Sequence, residues 1–81
     1  VRQITSNSGK SEGYYNRGMV YVRFGQLDRA IKDFDEAIGL NQQSAKVYYA
    51  RGFAHQKLGR MPRENQDFDK ASRINPNLKR P

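Results

Sequence analysis

A shift of 34 residues superimposes one half of this chain on the other. Laying Ser11–Ser44 over Ala45–Leu78 gives eleven identities in 34 positions: Tyr14/Tyr48, Tyr15/Tyr49, Arg17/Arg51, Gly18/Gly52, Gly25/Gly59, Arg29/Arg63, Asp33/Asp67, Phe34/Phe68, Asp35/Asp69, Ala37/Ala71 and Asn41/Asn75. Unrelated sequences would share about two, at ordinary usage of roughly 5–7% per residue type. A fixed period of this size belongs to stacked-repeat architectures, in which one small unit buries its apolar face only against a copy of itself. Such a chain offers an extended surface, and the functional question moves from catalysis towards recognition.

Within each period the apolar residues recur at helical spacing. The first helix is expected from about Glu12 to Phe24, with Ser11 as its N-cap, and Gly25-Gln26 makes the turn. The second runs from about Leu27 to Leu40 and turns Leu27, Ala30, Ile31, Phe34, Ala37 and Ile38 inward. Asp28 in its first turn suits the helix dipole. Asn41 to Ser44 connect the halves, with Ser44 as the next N-cap. The third helix covers Ala45–Leu58 and ends at Gly59; the fourth opens near Pro62, well tolerated in a first turn, and runs to Ile74 before Asn75-Pro76 stops it. Residues 1–10 lack periodicity and are rich in turn-forming types, so they read as a mobile leader, with 79–81 as a tail.

The pattern resembles the tetratricopeptide repeat, a helix–turn–helix unit of 34 residues marked by an aromatic, a Gly four residues on, a Tyr, a later Ala-x-x-x-Phe and a closing Pro. The first copy (11–44) matches with Tyr14, Gly18, Tyr21, Ala30, Phe34 and Ala37, and has Gln42 where Pro is usual. The second (45–78) matches with Tyr48, Gly52, Phe68, Ala71 and Pro76, and departs at His55 and Glu64. The resemblance implies an all-α fold: two hairpins, four antiparallel helices, stacked as a short right-handed α-solenoid. It also implies that Gly18 and Gly52 let the two helices of a hairpin close up against a small residue. Ala30 fills that role in the first copy; in the second, Glu64 must send its carboxylate to solvent over a packed stem.

Ile31 and Ile38 of the second helix become Asn65 and Ser72 in the fourth, a polar outer flank suited to a repeat that closes an array. Two repeats are fewer than such arrays usually need, so the chain of 81 residues is expected to be marginally stable, to self-associate, or to be a piece of a longer protein.

The resemblance further implies a concave peptide-binding groove lined by the first helix of each pair. Carried over position by position, it contains Glu12, Tyr15, Asn16, Met19, Val22 and Arg23, then Lys46, Tyr49, Ala50, Phe53, Gln56 and Lys57. Spacings of three and four gather these on one stripe, apart from that of Tyr14, Gly18 and Tyr21. The expected site is Tyr15, Asn16, Met19, Arg23, Lys46, Tyr49, Phe53, Gln56 and Lys57: an aromatic floor with basic margins, suited to a peptide with apolar anchors and acidic character. Tyr15, Tyr49 and Phe53 equally suit packing between helices. A carboxylate clamp of the kind that holds chaperone tails has no donors here, because its positions are Tyr15, Met19 and Ala50.

Net charge is +7, unevenly spread: residues 1–10 carry +2, 11–43 carry −1 and 44–81 carry +6. The basic second half motivates an alternative, binding to nucleic acid or another anionic surface, although its bases are interspersed along helices rather than gathered on one face. A third reading is a homodimerising structural end-cap of a larger array.

Little points to chemistry. Gly9-Lys10-Ser11 lacks the earlier Gly of a phosphate loop, Ile4 standing in its place. In Asp33–Asp35 and Asp67–Asp69 the carboxylates two apart diverge on a helix, so they read as solvated faces with local pairs Arg29/Asp33 and Arg63/Asp67. His55 is the single histidine and sits where the first copy has Tyr21, hence a packed aromatic. No nucleophile–base pattern appears, and no catalytic, metal or cofactor residues are expected. Cysteine is absent. No apolar run approaches the roughly 20 residues of a membrane span, and the compartment stays open.

Overall fold

The computed structural model describes residues 2–78, apart from the side chains of residues 2–8, Met61, Glu64 and Asn65. Four helices follow in order: α1 (Arg2–Arg23), α2 (Leu27–Leu40), α3 (Ala45–Lys57) and α4 (Met61–Ile74). They form two hairpins, α1–α2 and α3–α4, joined where α2 packs on α3, with a lesser contact of α1 on α3. This is the all-α solenoid the period predicts. The extents are 39 × 29 × 16 Å. A slab 16 Å thick is little more than one helix diameter deep, so each helix keeps a face for solvent or a partner.

Residues 2–10 depart from the expected leader. α1 begins at Arg2, and Ser11 lies inside it rather than capping it. Ser6, Asn7, Ser8 and Gly9 are weak helix formers, but none is proline, and extending a nucleated helix adds a hydrogen bond per residue. Ser11 has a different use: its buried hydroxyl donates to the Ala37 carbonyl at 2.9 Å, as a second donor to the oxygen that accepts Asn41 N–H at the end of α2, and so ties α1 to α2. Ser44 precedes α3 as expected, yet its hydroxyl makes no capping bond. Val1, the tail 79–81 and the side chain of Glu64 lie outside the described residues.

The turns are built alike. Gly25 and Gly59 take φ of 75° and 77°, open to glycine and strained for other residues. Around them Gln26 N–H donates to Tyr21 O at 2.8 Å and Arg60 N–H to His55 O at 2.9 Å, the long closing bonds of a Schellman motif. The repeated asparagines act alike too. Asn41 Oδ1 accepts from Gln43 N–H and Asn75 Oδ1 from Asn77 N–H, turning the chain out of α2 and α4.

The core is alanine and phenylalanine: Ala30, Phe34, Ala37, Val47, Ala50 and Ala54 form one buried cluster, and Phe68 and Ala71 are buried in the second hairpin. Leu27, Ile31 and Ile38 are only half-buried around it. Gly18 meets the Phe34 ring, not Ala30 as the resemblance implied: a Cβ there would fall 2.5 Å from Phe34 Cε1. At Gly52 it would fall 2.9 Å from Phe68 Cε1. The close approach therefore serves an aromatic ring.

Asp33 and Asp67 overturn the expectation of solvated faces. Both are buried, and they pair with Arg17 and Arg51 on the preceding helix rather than with Arg29 and Arg63. Arg17 forks onto Asp33 through Nε and Nη2, both at 2.8 Å; Arg51 does the same to Asp67 at 2.9 and 2.8 Å. Hydrogen bonding to Asp33 raises the pKa of Arg17. Burial works against the charge on Arg51, but its bonds to Asp67 and Asp35 outweigh it and leave its pKa raised.

His55 is a packed aromatic, 5% exposed. Its Nδ1 is buried without a hydrogen-bond partner, and Nε2 stands 3.9 Å from Asp67 Oδ2. Burial lowers its pKa, against the pull of Asp67 and helped by Arg51, Arg60 and Arg63.

Two expectations follow. Gly18→Ala will lower the melting temperature, because Phe34 is fully enclosed and cannot move aside, whereas Gly39→Ala, on an open stretch of α2, will raise it. Each kcal/mol should appear as about 4–8 °C in a thermal melt. The unfolded chain protonates His55 near pH 6.5, where the folded chain resists, so the unfolded state binds more protons below that pH. Stability is therefore full above about pH 6.5 and falls as the solution is acidified. His55→Tyr should flatten that fall between about pH 7 and pH 5 in paired melts; an unchanged slope would reject this role.

Candidate functional site

Helical geometry assembles the site from two stripes. On α1, Tyr15, Met19 and Val22 share one face at spacings of four and three; on α3, Lys46, Tyr49, Ala50 and Phe53 do the same. Packing of α1 beside α3 brings the stripes together across an open groove of about 300 Å³. Its lining is apolar and aromatic save for Lys46.

The rings serve core and surface at once. Tyr15 lies 6.1 Å from the Phe34 ring, and Tyr49 lies 5.3 Å from Phe68, both tilted. Each tyrosine thus rests on the phenylalanine of its own hairpin and shows its remaining surface to the groove. Ala50, 7% exposed, leaves depth between them.

Lys46 marks the rim. Its Nζ lies 4.8 Å from the Tyr15 ring centroid and bonds Glu12 Oε2 at 2.6 Å. Glu12 and Lys46 occupy the same position of successive repeats, and their opposite charges link the hairpins there. Both side chains are half exposed, so the pair adds at most about 1 kcal/mol and yields readily to a competing carboxylate.

Of the expected residues, the structure brings Tyr15, Met19, Lys46, Tyr49 and Phe53 together around the groove. Arg23, Gln56 and Lys57 are exposed and continue the stripes past it towards the turns, where Lys57 Nζ sits 5.0 Å from the Phe53 ring centroid. Asn16 is exposed one residue off the stripe and does not line the groove. Leu78 went unforeseen. It lines the groove from beyond α4, where its N–H donates to Asn75 O at 3.0 Å and its carbonyl accepts from Ser72 Oγ at 3.3 Å. A lone leucine in the polar run Asn75-Pro76-Asn77-Leu78 was the available signal.

Among the described residues no group of three or more His, Cys, Asp or Glu side chains is placed to hold a metal ion. None of their helices is long and apolar enough to cross a membrane.

Comparison with known families agrees with this architecture. A family model described as TPR repeat matches residues 18–59, and one described as tetratricopeptide repeat matches residues 45–78. No curated protein matches the chain. With its 34-residue period, its paired α-hairpins and both matches, the chain belongs to the tetratricopeptide repeat family, whose repeats are in general protein–protein interaction modules.

Proposed function

We propose that the groove between α1 and α3 binds a peptide segment of another protein, extended or helical, with one or two apolar anchors flanked by acidic residues. The observation that carries this reading is an aromatic hollow rimmed by an ammonium group: Tyr15, Met19, Tyr49 and Phe53 supply the floor, and Lys46 the charge. Tyrosine, phenylalanine and methionine bury much area for little lost freedom, and such residues dominate binding energy where they cluster. A hollow of about 300 Å³ suits a few side chains of a longer ligand, whose backbone would run along the stripes. On this reading the segment binds and does not catalyse.

The internal use of charge favours a peptide over a nucleic acid. Lys46, Arg51 and Arg60 each meet a carboxylate of the first hairpin, and that share of the basic half is already neutralised. Phosphate binding falls steeply with added salt, whereas a peptide anchored by apolar groups keeps most of its affinity.

The test is selection of peptides on the folded chain, followed by titration with two variants. Tyr15 and Tyr49 are poor choices for truncation because they support Phe34 and Phe68. Phe53→Ala should weaken a selected peptide by about tenfold or more, while Lys46→Glu should weaken acidic peptides and spare neutral ones. Unchanged affinity in both, with circular dichroism reporting intact helices, would remove the groove from consideration.

A further inference from the structure

Two ammonium groups stand over rings of the groove, at opposite ends of α3. Lys46 Nζ lies 4.8 Å from the Tyr15 ring centroid, and Lys57 Nζ lies 5.0 Å from that of Phe53. The two lysines are eleven residues apart on one helix. At roughly 1.5 Å per residue this sets them about 16 Å apart along its axis. Both side chains lean towards the helix N-terminus, so the ammonium groups keep much the same separation. Between them lie Tyr49, Ala50 and Phe53 of the groove floor.

The two ends differ in what already holds the charge. Lys46 is bonded to Glu12, an exposed carboxylate that a ligand can replace. Lys57 is exposed and forms no ion pair among the described residues. Arg23, its counterpart 34 residues earlier, is exposed and likewise forms none among them. One end of the groove therefore offers two open cations, and the other a cation shared with an acid.

We propose, on the footing that this groove binds a peptide, that Lys46 and Lys57 act as a ruler. The occupant they select is an extended segment with two carboxylates four residues apart and an apolar anchor midway. In an extended chain alternate side chains share a face, so residues i, i+2 and i+4 all point at the floor. Four residues span about 13 Å at roughly 3.3 Å each. The shortfall of about 3 Å is the length of a charge-assisted hydrogen bond, divided between the two ends. Acids two residues apart span about 7 Å and fall short; six apart span about 20 Å and overshoot. A helical ligand rises only about 1.5 Å per residue and would need acids about eleven positions apart. The spacing thus selects conformation as well as charge. The carboxylate at the Lys57 end also feels Arg23, and the one at the Lys46 end takes over the bond made by Glu12.

The parent probe is a blocked synthetic peptide centred on glutamate–serine–leucine–serine–glutamate, titrated into the ¹⁵N-labelled chain. Its controls replace one or both glutamates by glutamine, or insert one serine beside the leucine so that the acids stand five apart. A further control is a bridged helix with glutamates eleven positions apart. The extended peptides should all shift Tyr15, Tyr49 and Phe53. The parent should bind about three- to fivefold tighter than the single-acid or the five-spaced peptide. Arg23→Gln together with Lys57→Gln should erase that difference. Glu12→Gln, which releases Lys46, should tighten the parent and leave the acid-free peptide unchanged; neither pattern follows from a loss of folding. Equal binding of the parent and either control overturns the ruler and leaves the groove standing. Tighter binding of the bridged helix also overturns it, because the occupant is then helical. No shift at Tyr15, Tyr49 and Phe53 from any peptide removes the groove itself, and the ruler with it.

Discussion

The guanidinium of Arg51 stands where α2, α3 and α4 meet. It projects from α3, forks onto Asp67 of α4 and reaches Asp35 of α2, so one planar group fixes both the pairing inside the second hairpin and the stacking of that hairpin on the first. Each of its carboxylate partners lies 16 residues away, one behind and one ahead. The fork matters because Asp67 is buried, and a buried carboxylate deprived of its partner costs about 3–5 kcal/mol. Phe34 and Phe68 pack against the glycines beside these pairs, so ring and ion pair define one layer, repeated twice.

The uneven charge of the chain takes on a structural sense at this seam. Glu12, Asp28 and Asp35 of the first hairpin meet Lys46, Arg60 and Arg51 of the second. The acids stand on one side and the bases on the other, which keeps the pairing order of the hairpins unambiguous in a chain whose halves are otherwise alike. Exposed pairs of this sort add little stability individually. Their value here is registry, since a hairpin stacked the wrong way round would bring like charges together.

Much of this was legible in the amino-acid sequence, for reasons that name the rest. The 34-residue period placed α2, α3 and α4 to within a residue, because Gly25, Gly59 and Pro62 act locally and their effects do not depend on tertiary contacts. The start of α1 was not legible: Ser11 has the composition of a cap, and only its bond to Ala37, 26 residues on, reveals what it does. The burial of Asp33 was hidden likewise. Reading one helix at a time pairs it with Arg29, one turn away, while the hairpin delivers Arg17 from the helix before. In the groove, the positions that the resemblance implied included Tyr15, Met19, Tyr49 and Phe53, which helical spacing sets on one stripe. Spacing does not say where along the stripe the hollow ends, so Arg23, Gln56 and Lys57 were included, and Leu78, which follows no helical period, was left out.

The walls of the groove belong to different hairpins: α1 supplies one, α3 the other, and the connection 41–44 joins the units that carry them. Its width is thus an angle between two bodies rather than a property of either. Of the contacts that set this angle, Glu12–Lys46 and Asp28–Arg60 lie in solvent, while the buried ring-and-arginine layers stiffen each body internally. The joint between them is also packed: one buried cluster runs from Ala30, Phe34 and Ala37 of α2 to Val47, Ala50 and Ala54 of α3, and Arg51 reaches Asp35 across it, so the spacing of the groove walls is inherited from the core beneath them.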